Sequence, residues 1–88
     1  MTGANGDIRK DMRAYIQENF LYMEPEVELE DADDFLALGI VDSLGFVELV
    51  EEVQSRFGMV VEDVEITEEN FGSIDAIAGF VERKRTSV

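Results

Sequence analysis

Neither cysteine nor histidine occurs in the 88 residues. Without cysteine there is no disulfide, no thiolate nucleophile and no Cys-based zinc site. Without histidine the commonest general base and the commonest metal ligand are both missing. Basic residues are scarce in the middle of the chain. Arg9, Lys10 and Arg13 lie near one end and Arg83, Lys84 and Arg85 near the other. Between residues 14 and 82, Arg56 alone faces nineteen Asp and Glu. The longest apolar run, Phe35 to Val41, is far too short to cross a bilayer. Met1 to Gly6 lack the basic-then-apolar pattern of a signal peptide.

What remains is a hydrophobic content of 45% under a formal net charge of −14. The first predicts a folded chain rather than a disordered one. A single domain of this length, residues 1–88, buries roughly 60–65% of its unfolded surface. That supports one modest core and leaves little room for a deep catalytic pocket. The chain is therefore a poor enzyme candidate, with no catalytic or metal-binding residue assigned. The charge repels nucleic acid and anionic membranes and favours proteins with basic surfaces, or it serves solubility alone. A cytoplasmic, soluble monomer is expected.

Periodicity predicts helices. Ile8, Met12, Ile16 and Phe20 recur every four residues with Tyr15 beside them, which makes one apolar stripe. Asp7 suits its N-cap or first turn, and Pro25 requires an end before it. Seven of the eleven residues from 24 to 34 are acidic, as in a solvated loop. Phe35, Leu36, Leu38 and Ile40 are expected to dock that loop on the core. A second helix is predicted from Ser43 to Phe57, with Leu49, Val50, Val53 and Phe57 inward and Gly58 as its C-cap. Val60 to Ile66 reads as an extended connector. Thr67 can cap a short turn through Asn70. Ser73 opens a last helix with Ile74, Ile77, Ala78 and Val81 inward. Arg83, Lys84 and Arg85 fall in its last turn, at the negative end of the dipole. The expected fold is all-α: a small antiparallel four-helix bundle with three main helices, one short helix and a long first loop. Residues 1–6 and 86–88 are expected to fray.

Two acidic constellations invite other readings. An EF-hand loop starting at Asp31 would place Asp33 third and Asp42 twelfth. It would also place Phe35 fifth, Leu36 where glycine is needed, and no glutamate last, so a specific calcium site does not fit. Glu51 and Glu52 are adjacent on a helix and point apart, so they do not converge on a substrate. Gly39-Ile40-Val41-Asp42-Ser43-Leu44-Gly45 is different. It joins a loop end, a serine at a helix start and an apolar residue just beyond. On local grounds alone, Ser43 or Asp42 is an ordinary cap.

The wider context resembles the phosphopantetheine-dependent carrier proteins, the acyl and peptidyl carriers, in free-standing form. Leu38 to Val50 (LGIVDSLGFVELV) looks like their signature, in which an Asp-Ser-Leu triplet starts the second helix and the serine holds the prosthetic group. Phe35 with Leu38-Gly39, Glu52 to Phe57, Phe71-Gly72-Ser73-Ile74 and Phe80-Val81 extend the likeness over roughly residues 8 to 85. The resemblance implies a 4'-phosphopantetheine arm, donated by coenzyme A, on Ser43. It implies a supporting role for Asp42, as a cap or in contact with the transferase or its metal. It implies partner contacts at Leu44, Glu48 and Glu51, though Leu44 has the alternative of being partly core. The implied partners are a phosphopantetheinyl transferase, an acyl- or aminoacyl-loading ligase (an adenylation enzyme), and a downstream synthase, transferase or thioesterase. Asp42 before Ser43 resembles fatty-acid and polyketide carriers. Phe71 to Asp75 and Phe80 to Lys84 resemble free-standing aminoacyl, peptidyl and D-alanyl carriers, and the reading leans to these, for secondary metabolism or amino-acid loading. Gly45-Phe46 departs from the polar pair common in fatty-acid carriers and speaks against primary fatty-acid synthesis. The rival without a cofactor is an acidic helical adaptor.

Overall fold

A computed structural model describes residues 4–24 and 26–86. Among them it contains helices α1 (Ala4–Asn19), α2 (Ser43–Phe57), α3 (Glu68–Phe71) and α4 (Ile74–Thr86), a 3-10 turn at Asp63–Glu65, and no strand. The all-α class and the three-long, one-short pattern are as expected. Helix α1 begins at Ala4 with Asp7 inside its first turn, so Asp7 is not the N-cap. The backbone of residues 4–6 and 86, expected to fray, is helical. Residues 1–3 and 87–88 of those ends, and Pro25, lie outside the described residues.

Each long helix buries the stripe its spacing predicts. Ile8, Met12 and Ile16 from α1, Leu49, Val50 and Val53 from α2, and Ile74, Ile77, Ala78 and Val81 from α4 meet in one cluster. Helix α1 packs on α4, α4 on α3, and α3 on α2. Three aromatic rings bridge the last contacts. Phe46 of α2 meets Phe71 of α3 edge-on at 6.3 Å, and Phe71 meets Phe80 of α4 at 4.9 Å. Such pairs add to the area they bury.

The ends of the stripes depart from the pattern. Phe20 and Phe57 are half-buried rather than inside. Helix α1 stops at Asn19, whose side chain folds back to donate to the Tyr15 carbonyl at 2.9 Å. Gly58 ends α2 at φ 63° and donates to the Gln54 carbonyl, the left-handed cap that glycine adopts without strain. The connector after it is not fully extended. Asp63–Glu65 coils into a 3-10 turn, with the Glu62 and Glu65 side chains and backbone N–H groups paired reciprocally. Thr67 caps α3 through the Asn70 N–H at 3.3 Å. Ser73 Oγ accepts from the Ala76 N–H at 3.0 Å at the start of α4.

The long first loop is ordered by contacts at both ends. Arg13 donates to the Leu29 carbonyl and to Asp31, and Arg9 binds Asp75 with Asp31 3.8 Å away. The backbone seals the same junction. The Asp75 N–H donates to the Asp31 carbonyl at 2.8 Å, and the Phe35 N–H donates to the Gly72 carbonyl at 2.8 Å. Docking falls to Leu29, Phe35 and Val41, all buried. Leu38, expected among the docking residues, is 58% exposed, and Leu36 and Ile40 are half-buried. The tight turn that brings the chain back reverses their direction. The Leu38 N–H bonds the Asp34 carbonyl, and the Ile40 and Val41 N–H groups bond the Phe35 carbonyl.

Candidate functional site

The loop delivers the chain to the start of α2. Asp34 Oδ1 accepts from the Leu36 and Ala37 N–H groups at 2.9 and 3.0 Å, which starts the turn. Gly39 completes it at φ 73°, a conformation that disfavours any side chain. Val41 is buried and anchors the exit. Asp42 follows in extended conformation as the N-cap, its Oδ1 accepting from the Gly45 N–H at 2.7 Å. Its carbonyl accepts from the Phe46 N–H at 2.8 Å.

Ser43 is the first residue of α2 and is exposed. The amides of Ser43 and Leu44 have no intrahelical carbonyl to bond, and they sit at the positive end of a 15-residue helix. An anion joined to the Ser43 hydroxyl meets these donors. The Asp42 carboxylate opposes it by charge, but one of its oxygens is already held by the Gly45 N–H. Leu44 is 70% exposed and is not core. Glu48 and Glu51 are exposed on the same helix. Glu52 instead turns back to Arg56, 2.6 Å away.

Gly45 shapes the other side of this corner. A Cβ there would stand 2.7 Å from Cε1 of Phe20. Its absence lets the Phe20 ring lie against the first turn of α2. A depression of about 240 Å³ opens beside it, lined by Phe20, Gly39, Ile40, Asp42, Leu44, Gly45 and Glu48. Tyr15 stands edge-on to Phe20 at 5.9 Å. Burial, and then the Glu52 and Glu48 carboxylates, push the Tyr15 hydroxyl above its usual range, with Arg56 pulling the other way. The phenol thus senses the negative face of α2. A larger hollow of about 290 Å³, between Glu65, Asn70, Phe80, Arg83 and Lys84, is spanned by its own polar bonds and offers no side-chain hydroxyl. It is the weaker candidate.

The acidic loop residues do not gather. Asp31 meets Arg9 and Arg13, Asp33 Oδ2 accepts from the Glu30 N–H at 2.9 Å, and Asp34 holds its turn. Among the described residues no three carboxylates converge as a metal site would require.

A family model described as "Phosphopantetheine attachment site" matches residues 13–81. The chain belongs to this family of phosphopantetheine-dependent carrier proteins. Two proteins described as D-alanyl carrier protein, from Streptococcus suis strains 98HAH33 and 05ZYH33, are each 38% identical to it over 77 residues. The aligned stretch covers 86% of this chain and 94% of theirs. As a carrier, the chain takes 4'-phosphopantetheine as its prosthetic group and is not itself a catalyst; partner enzymes such as transferases and ligases come with the family. The Ser43 corner suits such a group. It offers an exposed hydroxyl, two helix-start amides and an open apolar flank. No helix among the described residues is long and apolar enough to cross a membrane.

What sequence reasoning missed here is the part played by Phe20, Gly39 and Ile40. Gly39 stood next to the motif and signalled a turn. Nothing local signalled that Phe20, 25 positions before Gly45, would touch it.

Proposed function

We propose that Ser43 is the attachment point, and that the chain carries an aminoacyl group between partner enzymes. The observation that supports this is the exposed Ser43 at the start of α2, inside the segment matched by the family model. Ser43 Oγ attacks the pantetheine-side phosphorus of coenzyme A. A P–Oγ bond forms as the bond to the bridging pyrophosphate oxygen breaks. The 3',5'-ADP leaves, and the serine proton passes to a base on the phosphopantetheinyl transferase. The attached arm ends in a thiol that holds cargo as a thioester, which supplies the thiol this cysteine-free chain lacks. Asp42 fixes the helix start, and the bare amides of Ser43 and Leu44 steady the new phosphodiester. Leu44, Glu48 and Glu51 form the face on which basic partner surfaces dock in turn.

D-alanine is the proposed cargo, by kinship with the two relatives, loaded by an adenylating ligase and passed to a downstream transferase or synthase. The setting is a cytoplasmic monomer, with the bundle helices antiparallel. The Asp42-Ser43-Leu44 triplet favours a second reading, a fatty-acid or polyketide carrier.

Intact-mass spectrometry after incubation with coenzyme A and a broad-specificity transferase tests the attachment. The expected result is one phosphopantetheine on the wild type and none on Ser43→Ala. Modification that persists in Ser43→Ala moves the site to another serine. An unmodified wild type beside a working positive control removes the attachment reading. Releasing the cargo from protein isolated from its host, and weighing it, separates the amino acid from the acyl chain.

A further inference from the structure

The first turn of α2 is Ser43, Leu44, Gly45 and Phe46. Ser43 and Leu44 face solvent, while Gly45 is buried and Phe46 half-buried. The place of the turn is therefore set through the latter two. Neighbouring helix residues project about 100° apart, so the two are held from different directions. Phe46 meets the buried Phe71 ring edge-on. Gly45 meets Phe20, so closely that a Cβ on it would stand 2.7 Å from the ring's Cε1 and 3.2 Å from Asp42 Oδ1. Gly45 does not have the positive φ of Gly39 and Gly58. Glycine is a poor helix former, and here the close approach of the ring explains it. The Asp42 cap moves with the turn it closes, so it does not fix where that turn lies.

Phe20 is itself firmly placed. Its N–H donates to the Ile16 carbonyl at 2.8 Å, and the Tyr15 ring backs it edge-on at 5.9 Å. The Arg56 guanidinium lies over Tyr15, 5.9 Å from its centroid, and pairs with Glu52 within α2. The end of α1 thus touches α2 at two levels, directly at Gly45 and through Tyr15 near Arg56. Two contacts along a rod fix its direction. The one at Gly45 is two residues from Ser43 and governs where the hydroxyl sits.

We infer that Phe20 is a positioning residue for phosphopantetheine transfer, acting through Gly45 on Ser43, an inference that rests on Ser43 as the attachment point. Ser43 Oγ must stand in line with the P–O bond that breaks. A displacement of about 1 Å can slow such a step about a hundredfold. The Phe20 ring prevents that displacement by filling the space that Gly45 leaves. Glu48 and Glu51 lie further along α2, so loss of the ring slows the transfer step while docking of the transferase is kept.

The test is single-turnover loading of the full chain from coenzyme A, followed by intact mass as the concentration of a broad-specificity transferase is varied. Phe20→Ala and Gly45→Ala should each lower the maximal rate about tenfold. The half-saturating transferase concentration should stay within about twofold of the wild type, the mark of an interaction that acts on the transfer step rather than on binding. Phe20→Leu removes the ring edge that an alanine at 45 would strike. Gly45→Ala combined with Phe20→Leu should therefore load faster than Gly45→Ala alone, a coupling expected only between residues in contact. Phe57→Ala is the control. Phe57 is also half-buried, lies at the far end of α2 and has Arg85 over its ring at 5.6 Å, so this variant should load at the wild-type maximal rate. Should Phe20→Ala or Gly45→Ala fail to fold, Phe20→Leu against Phe57→Leu decides in the same way. An unchanged maximal rate without the Phe20 ring, or equal losses at Phe20 and Phe57, overturns the positioning role and leaves the attachment standing. Losses that simply multiply in the double variant overturn the contact as its route. A wild type that gains no mass beside a working positive control removes the attachment reading itself.

Discussion

Around Asp31 the acidic chain is tied down. Arg9 and Arg13 reach it from α1, its carbonyl takes the Asp75 N–H, and the Phe35 N–H donates to the Gly72 carbonyl in the same junction. Along α2, Glu52 is answered by Arg56 within the same helix, but Glu48 and Glu51 are left open. Glu48 and Glu51 are exposed, and among the described residues neither makes a salt bridge. The same kind of side chain is thus used in two ways. At the junction, charge is answered within the molecule and holds the loop where it must be. Beside Ser43 it is unanswered and remains available to a basic partner. The positively charged residues decide this division, since almost all of them lie near the ends of the chain, where they can answer only the junction and the α4 terminus.

The sharpest way to break the contrast is to release the loop. Phe35 is fully buried, and its backbone bonds both Gly72 and the turn that leads to Asp42. Phe35→Ala should cost about 3–5 kcal/mol, read as a lower urea midpoint at unchanged slope. The variant should also be loaded with phosphopantetheine more slowly, because the turn no longer places Ser43. Reversing the open acids is the complementary experiment. Glu48→Lys combined with Glu51→Lys should slow association with the transferase about tenfold at low salt. The difference should shrink as salt rises, with thermal stability nearly unchanged. If association were unaffected, the exposed acids would not be a docking face.

Smaller effects separate the two residues at the corner. Asp42→Ala removes the side-chain bond to the Gly45 N–H and should cost about 1 kcal/mol, seen as a lower melting temperature. Ser43→Ala, at an exposed position, should stay within about 0.5 kcal/mol while losing the arm entirely. The smallest effect lies at the answered end. Glu65 accepts from Lys84 at 2.6 Å and from the Glu62 N–H at 2.9 Å. The Lys84 hydrogen bond first, then that of Glu62, holds its carboxyl below the ordinary glutamate range. Because the folded value is lowered, the stability it lends is present above the ordinary value and lost as pH falls through the folded one. A carbon-detected titration should find the Glu65 midpoint below the ordinary glutamate value, and Lys84→Met should raise it.

Much of this was legible in local pattern. The stripes of α1, α2 and α4, the Gly58 cap, the Thr67 cap and the Ser43 helix start depend on spacings of three or four residues, which the sequence displays directly. The departures sit where a turn or a distant contact intervened. Leu38 looked like a core residue by composition, yet the Asp34–Gly39 turn swings it outward. The segment after α2 lacked a periodic stripe, and its 3-10 turn depends on the Glu62 and Glu65 exchange. Phe20 continued the α1 stripe on paper, but the helix ends one residue before it.

The sequence by itself determined that this chain is helical, that its middle is acidic, and that it has no sulfur nucleophile or imidazole of its own. It also determined that a serine stands at the start of the second helix, because these properties reside in composition or within one helical turn. Only the tertiary structure decided that Arg9 clasps Asp75 across 66 positions, that Phe20 lies where Gly45 has no side chain, and that a depression therefore opens beside Ser43. Such contacts depend on how elements far apart in the chain come together, and no local periodicity records that.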